Sequence, residues 1–272
     1  MTSLKLRIFL LISAALILPH SVHGHDGWIQ VNPIVEKGQP LSIALMHGNH
    51  SNEHGSFRLA GKWDAQYTKL LVIDPSGKIS DLTNTIVDLG EDPEKTGPKG
   101  PKGFHLAQFT PKADGVYIVL ARQERSLQQG DGPKLRTMRN ARSAFVALGN
   151  PKVVEAQKAK GFERTFALNN LLEIVPVSNP FSTTEKGTLI LQVLLNGQPA
   201  ANQSVTVIGQ MASAASAQDL KTDSQGRVHV TVGAPDTYLA RVKFDEDVRQ
   251  SSGQSDKNSY EATYVFQAFN RS

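Results

Sequence analysis

The fold turns on the stretch Thr188-Leu189-Ile190-Leu191-Gln192-Val193-Leu194-Leu195-Asn196-Gly197. Leu189, Leu191, Val193 and Leu195 recur at every second position, the period that puts side chains on one face of a β-strand. Asn196-Gly197 then supplies the residue pair that a tight hairpin turn favours. The same two-residue period returns at Val205 and Val207, at Val228, Val230 and Val232, and at Tyr260, Ala262, Tyr264 and Phe266. Upstream, short apolar runs closed by turn residues predict strands over 28–31, 41–46, 69–73, 104–109, 116–121 and 144–148. Asp74-Pro75-Ser76-Gly77 reads as a turn, since proline presets the first bend and glycine accepts positive φ. The ten residues Glu94 to Gly103 hold two Gly-Pro-Lys repeats, too few for a triple helix, and read as a mobile, solvated loop.

No pattern predicts a helix long enough to cover a sheet, so the expected class is all-β: two β-sandwich domains, the second immunoglobulin-like. The expected division is 25–150 for the first sandwich and 166–272 for the second. Between them, 151–165 forms a linker or a single short helix, because Asn150-Pro151 precedes a Lys/Glu/Ala-rich run.

Composition narrows the chemistry. The 272 residues contain no cysteine, which excludes a disulfide framework, thiolate metal sites, iron–sulfur clusters and a thiol nucleophile. Any metal must be held by nitrogen and oxygen. Apolar residues at 39% and charged residues at 20%, with 22 Gly and 14 Pro, describe a turn-rich globular chain rather than a disordered or membrane-embedded one.

Residues 1–24 stand apart. Lys5 and Arg7 precede the apolar run 8–18 and a polar breaker segment, the order of a secretory signal peptide. Val22 and Gly24 suit a cut that leaves His25 as the first residue; the less favoured cut after Val22 would leave His23-Gly24-His25, whose third-position histidine suits square-planar Cu(II) or Ni(II). Loss of the leader removes two positive charges from a formal +4. The sequence pI of about 9.2 is therefore partly the leader's. With no helix-turn-helix, zinc-finger or aromatic-basic signature, nucleic acid is not an expected partner. No second apolar run approaches the roughly 18 residues of a membrane span, so the expected compartment is the periplasm, and a lipid anchor would need a cysteine.

Three of the eight histidines, His47, His50 and His54, fall in the eleven residues His47 to Phe57, after a predicted strand. Imidazole is the commonest protein ligand for zinc, copper and nickel, and several ligands from one loop lower the ordering cost of a site; a polar surface loop with incidental histidines is the plainer alternative. At a mature N-terminus His25 would add a chelating pair, its α-amine and ring Nδ1. A first strand lying beside 41–46 would carry His25 toward His47–His54. His105 lies in a predicted strand, where a structural role is the simpler reading though a metal is within its chemistry. His229, between Val228 and Val230, should face solvent. Asp245-Glu246-Asp247 reads as a solvated turn, since no spaced oxygen-ligand loop follows it. The G-x-S-x-G, H-E-x-x-H, Walker and G-x-G-x-x-G motifs are all absent, and no enzyme is expected.

Certain segments are familiar as a set: His25-Asp26-Gly27-Trp28-Ile29, Gly48-Asn49-His50-Ser51-Asn52-Glu53-His54 running into Phe57-Arg58-Leu59-Ala60-Gly61-Lys62, and Leu172-Glu173-Ile174-Val175-Pro176-Val177-Ser178-Asn179-Pro180. Together with Leu194-Leu195-Asn196-Gly197-Gln198-Pro199 and Thr222-Asp223-Ser224-Gln225-Gly226-Arg227, they resemble a bacterial exported family associated with nickel uptake, a domain of unknown function found beside nickel and cobalt transporters. The resemblance covers nearly the whole chain after the leader. It implies a periplasmic metal-binding role in which His25, His50 and His54 occupy the matching positions. His47 departs from the pattern, where an apolar residue is expected.

The function expected from these readings is binding of Ni²⁺ or Co²⁺ through His25, His50 and His54, with His47 as a further candidate, and presentation of the ion to a membrane metal transporter. Cu²⁺ and Zn²⁺ remain open because selectivity at nitrogen sites comes from geometry. With four methionines, one of them the initiator, a thioether Cu(I) carrier is disfavoured. The rival readings are a copper oxidase with an N-terminal histidine brace and a carbohydrate-binding or adhesion module.

Overall fold

A computed structural model describes residues 25–48, 59–91, 102–128, 130, 132, 134–165, 172–210, 217–234, 236–248 and 256–270. The expected leader, His50, His54 and most of the Gly-Pro-Lys stretch lie outside the described residues. The described chain is built almost wholly of strands. The first half holds β1 (Asp26–Gln30), β2 (Ile34–Glu36), β3 (Leu41–Gly48), β4 (Thr68–Ile73), β5 (Ile79–Asp81), β6 (Val87–Asp88), β7 (His105–Phe109), β8 (Gly115–Leu127) and β9 (Leu135–Leu148). After the short helix α1 (Val153–Ala156) come β10 (Leu172–Pro176), β11 (Thr188–Leu195), β12 (Gln198–Pro199) and β13 (Ser204–Gly209). The last four are β14 (Gln218–Lys221), β15 (Arg227–Thr231), β16 (Thr237–Asp247) and β17 (Lys257–Gln267).

These strands form two small sheets and one large one. β1-β3-β7-β6 make the first small sheet, and β10-β11-β12, with β15 on β11, make the second. The large sheet runs β14-β13-β16-β17-β9-β8-β4-β5, with β2 added to β9. The two halves of the chain meet inside it, where β17 and β9 pair in parallel from Lys257↔Leu135 to Val265↔Ser143.

Strand parity explains how one sheet serves two cores. Ala141, Phe145 and Ala147 of β9, with Tyr117, Val119 and Ala121 of β8, pack under Ile29, Ile43 and Leu45 of the first small sheet. On the other parity, Met138 of β9 and Tyr260, Ala262, Tyr264 and Phe266 of β17 pack under Leu189, Leu191 and Val193 of the second. The two small sheets therefore cover opposite faces of the shared sheet, and each fully buried Leu, Val or Phe contributes roughly 1.5–3 kcal/mol.

Local chemistry sets the corners. Asn196 and Gly197 both have positive φ, 53° and 75°, as a two-residue hairpin turn requires, and Leu195 pairs with Gln198 across it. Asp74 Oδ1 accepts from the backbone N–H groups of Ser76 and Lys78, closing the turn read from Asp74-Pro75-Ser76-Gly77. Segment 151–165 contains the short helix α1, and is anchored at two points: Ala156 is buried, and the Arg164 guanidinium donates to the carbonyls of Asp74, Pro75 and Val116.

Two expectations need correction. Asp245-Glu246-Asp247 is the end of β16, paired with Ser259, Asn258 and Lys257, and Asp245 forms an ion pair with Lys257 at 3.0 Å. Its charges are those of a strand end that projects past the core. β8 and β9 are also far longer than the apolar runs 116–121 and 144–148, for a reason that belongs to the site.

Candidate metal centre

β1 and β3 are antiparallel neighbours, with Asp26 opposite Gly48 and Gly27 opposite His47. This pairing, expected from the sequence, brings the His25 and His47 rings to 6.0 Å between centroids at 77°. On β3, Leu41, Ile43 and Leu45 face the first core, and His47 takes the next position of the same period. His25 is exposed, whereas His47 is half-buried and its Nδ1 is enclosed without a hydrogen-bond partner. Gly61 lies against this nitrogen so closely that a Cβ there would stand 2.8 Å from it. Burial, reinforced by Arg139, His25 and Lys243 and opposed by Glu261, lowers the His47 pKa from 6.5 to about 4. The ring is thus neutral at neutral pH, the form in which imidazole is a ligand.

The contact is edge-to-face, as between two packed rings, and its separation lies within the range that two imidazoles on one ion span. Two imidazoles bound to one metal at about 2 Å each hold their ring centroids on the order of 5–6 Å apart. Among the described residues, no three His, Asp or Glu side chains gather into a metal-sized cluster. The described donors are the histidine pair.

Strands of the second half fix the start of β1. Asp26, 2% exposed, accepts from Arg241 of β16 at 2.7 Å and faces Lys243 at 3.2 Å. The Gly27 N–H donates to Glu261 of β17, and Thr263 Oγ1 donates to the Gly27 carbonyl at 2.7 Å. Gly27 admits no side chain, since a Cβ would meet Arg139 Cδ at 2.6 Å and Trp63 Cζ2 at 2.8 Å. Trp63 is fully buried, donates its indole N–H to the Met46 carbonyl and lies under the Arg139 guanidinium.

Beside His47 opens a cleft of about 270 Å³. Its floor is two rows of side chains across three adjacent strands. Arg125, Thr137 and Ser259 form one row, and Gln123, Arg139 and Glu261 the other. His47 and Lys62 belong to its walls. Burial alone would raise the Glu261 carboxyl, but Arg139, Lys243 and the Gly27 N–H outweigh it and hold it below the usual glutamate value. Arg139 takes both carboxylate oxygens, at 3.1 and 3.3 Å.

Sequence reading missed these residues because they occupy the inward parity of β8, β9 and β17 just where apolar residues stop. The available signal was a continuation of period two through polar residues, from Ala121 to Gln123 and Arg125. His105 does not join the histidine pair: it is buried in β7 facing Asp88 at 3.9 Å, and Asp88 also pairs with Lys62. Burial lowers the pKa of His105, with Asp88 opposing. His229 projects to solvent from β15, as its flanking valines indicate.

No curated protein matches the chain. Among solved structures, a tetra-tandem repeat from the extending region of a large adhesion protein matches at 11% identity and TM-score 0.23, covering 90% of this chain and 50% of that one. The chain thus spans about half the length of that relative. A two-domain fibronectin type III segment of chicken tenascin matches at 12% identity and TM-score 0.21, covering 89% and 99%. The all-β architecture rests on the strand pairings described above. The family of the domain of unknown function DUF4198 matches residues 22–246, most of the chain, and the chain belongs to it.

Proposed function

We propose that the protein is an exported, periplasmic transition-metal-binding protein, an accessory of nickel or cobalt uptake, with His25 and His47 as the described part of its ligand set. The observation that carries this reading is the imidazole pair at 6.0 Å, with the His47 ring held neutral by burial. His50 and His54, on the stretch that follows β3, complete the proposed set, and cleavage before His25 adds the α-amine. The absence of cysteine makes this a nitrogen site, suited to Ni²⁺, Co²⁺, Cu²⁺ or Zn²⁺. Resemblance to a family found beside nickel and cobalt transporters favours the first two, with the ion as cargo for a membrane transporter. β3 fixes the His47 ring, and the Asp26 ion pairs hold β1 so that His25 stays beside it.

The test is intact-mass analysis of the exported protein to fix its first residue, followed by calorimetric titration with Ni²⁺, Co²⁺, Cu²⁺ and Zn²⁺. His25→Ala and His47→Ala should each weaken Ni²⁺ binding at least tenfold. Wild-type affinity in both variants would overturn the assignment. Oxygen-dependent turnover by the copper-loaded protein would move the same pair into a histidine-brace oxidase.

A further inference from the structure

The face that β1 turns toward the second half changes character along its length. Asp26 pairs with Arg241, and Trp28 packs with Leu239 and Val265; both positions are buried. Two residues on, Gln30 keeps the same parity, and there a cavity of about 430 Å³ lies between the halves. Gln30 of β1 and Ser42 of β3 line it from one side and Thr237 of β16 and Gln267 of β17 from the other, with Phe181 and Phe269 as aromatic walls. Among the described residues, the lining carries no charged side chain. The two amides and two hydroxyls also have no hydrogen-bond partner among the described residues. At the other end of β1 the polar groups are matched, Asp26 with Arg241 and Thr263 Oγ1 with the Gly27 carbonyl.

We infer that this cavity binds a neutral sugar, a pyranose either free or at the end of a chain. A charged ligand would leave water for walls that hold no counter-charge, which is costly. A wholly apolar ligand would cover four polar side chains without replacing their bonds to water. Sugar hydroxyls meet both conditions: each donates and accepts, while an amide offers two donors and an acceptor and a side-chain hydroxyl offers both functions. The C–H face of a pyranose is apolar and finds an apolar surface in Phe181 and Phe269. The volume falls within the roughly 300–1,000 Å³ of small-molecule pockets, which favour the junctions between domains. The cavity lies at the opposite end of β1 from His25, and the inference does not rest on the metal reading.

The test is calorimetry on the whole exported chain, without added metal, using glucose, galactose and mannose, each beside its uronate. At least one neutral sugar should bind with a Kd of about 1 mM or tighter, and its uronate at least tenfold more weakly. Gln267→Ala should weaken the bound sugar at least tenfold, and Ala44→Leu, which puts bulk into the cavity, should abolish binding. If Gln267→Ala does not fold, Gln30→Ala should show the same loss. A disaccharide of the bound sugar that binds as tightly marks a chain end as the ligand, and one that is excluded marks the free sugar. No binding by any of the three neutral sugars overturns the inference, as does a uronate that binds equally well. Wild-type affinity in both Gln267→Ala and Ala44→Leu would also overturn it, by placing the sugar elsewhere. Because no metal is added, failure of Ni²⁺ to bind bears only on the function proposed above.

Discussion

Replacing Asp26 by Ala should cost about 3–4 kcal/mol of stability and separate the histidine pair. The carboxylate is 2% exposed and its main partner, Arg241, is 13% exposed at 2.7 Å, so truncation leaves a buried guanidinium without its counter-charge. Breaking such a pair from one side costs about 3–5 kcal/mol. Lys243, at 39% exposed, can return to water, and its share is held to about 0–1 kcal/mol. Urea unfolding should show a lower midpoint with an unchanged slope, the mark of lost stability rather than an altered unfolded state. A cycle with Arg241→Met separates charge from packing: the double variant should be more stable than Asp26→Ala alone, because no uncompensated charge remains. In Asp26→Ala, Ni²⁺ affinity should fall together with stability, since the start of β1 is no longer clamped. A loss under 1 kcal/mol, or strict additivity in the cycle, would refute the buried-clamp argument.

Gly27→Ala should destabilise the protein by about 1–3 kcal/mol through overpacking, because the added Cβ would stand 2.6 Å from Arg139 Cδ and 2.8 Å from the buried Trp63 ring. Thermal unfolding that matches wild type would show that Arg139 leaves Glu261 at no cost. Glu173 carries the pH prediction. Burial raises its carboxyl above the ordinary glutamate value, against Arg142 and Arg122, so over the interval between the unfolded and folded values the native state holds the proton more tightly. That contribution is present below the unfolded value near 4.5 and is lost as pH rises through the folded one. Glu173→Gln should remove this loss and raise stability at neutral pH; a wild-type pH profile in the variant would show that the carboxyl ionises in place without penalty.

The sequence was legible where one face of a strand met a core and the other met solvent. β11 and β15 alternate cleanly, and their ranges follow from Leu189, Leu191 and Val193 and from Val228 and Val230. β9 was legible only at its end because the shared sheet is covered on both faces. There, Met138 and Ala141 serve different cores, while the polar Arg139 and Asn140 fall between them. Parity then carries no single apolar signal. The fully buried Arg142 donates to the carbonyls of Phe162 and Arg164, a use of charge that composition cannot locate. At the site, the His25–His47 approach followed from pairing two apolar runs. Arg125, Arg139 and Glu261 did not: the first two sit on the β8–β9 pairing beyond its apolar signal, and only the parallel register of β17 on β9 sets Glu261 beside Arg139.

That register ties the second sandwich to the first one's chemistry. β1 and β3 bring the imidazoles together, but the groups that set β1 in place, Arg241, Lys243, Glu261 and Thr263, all stand on β16 and β17. β17 sends Tyr260, Ala262 and Tyr264 into its own core from one face and Glu261 and Thr263 to β1 from the other. A slip of one residue against β9 would exchange these faces, putting Glu261 against the apolar core and an aromatic ring against Gly27. The packing of Tyr260 and Tyr264 thus specifies the register that places Glu261 and Thr263 on Gly27. The second half thus holds in place, through β16 and β17, a histidine pair it does not contain.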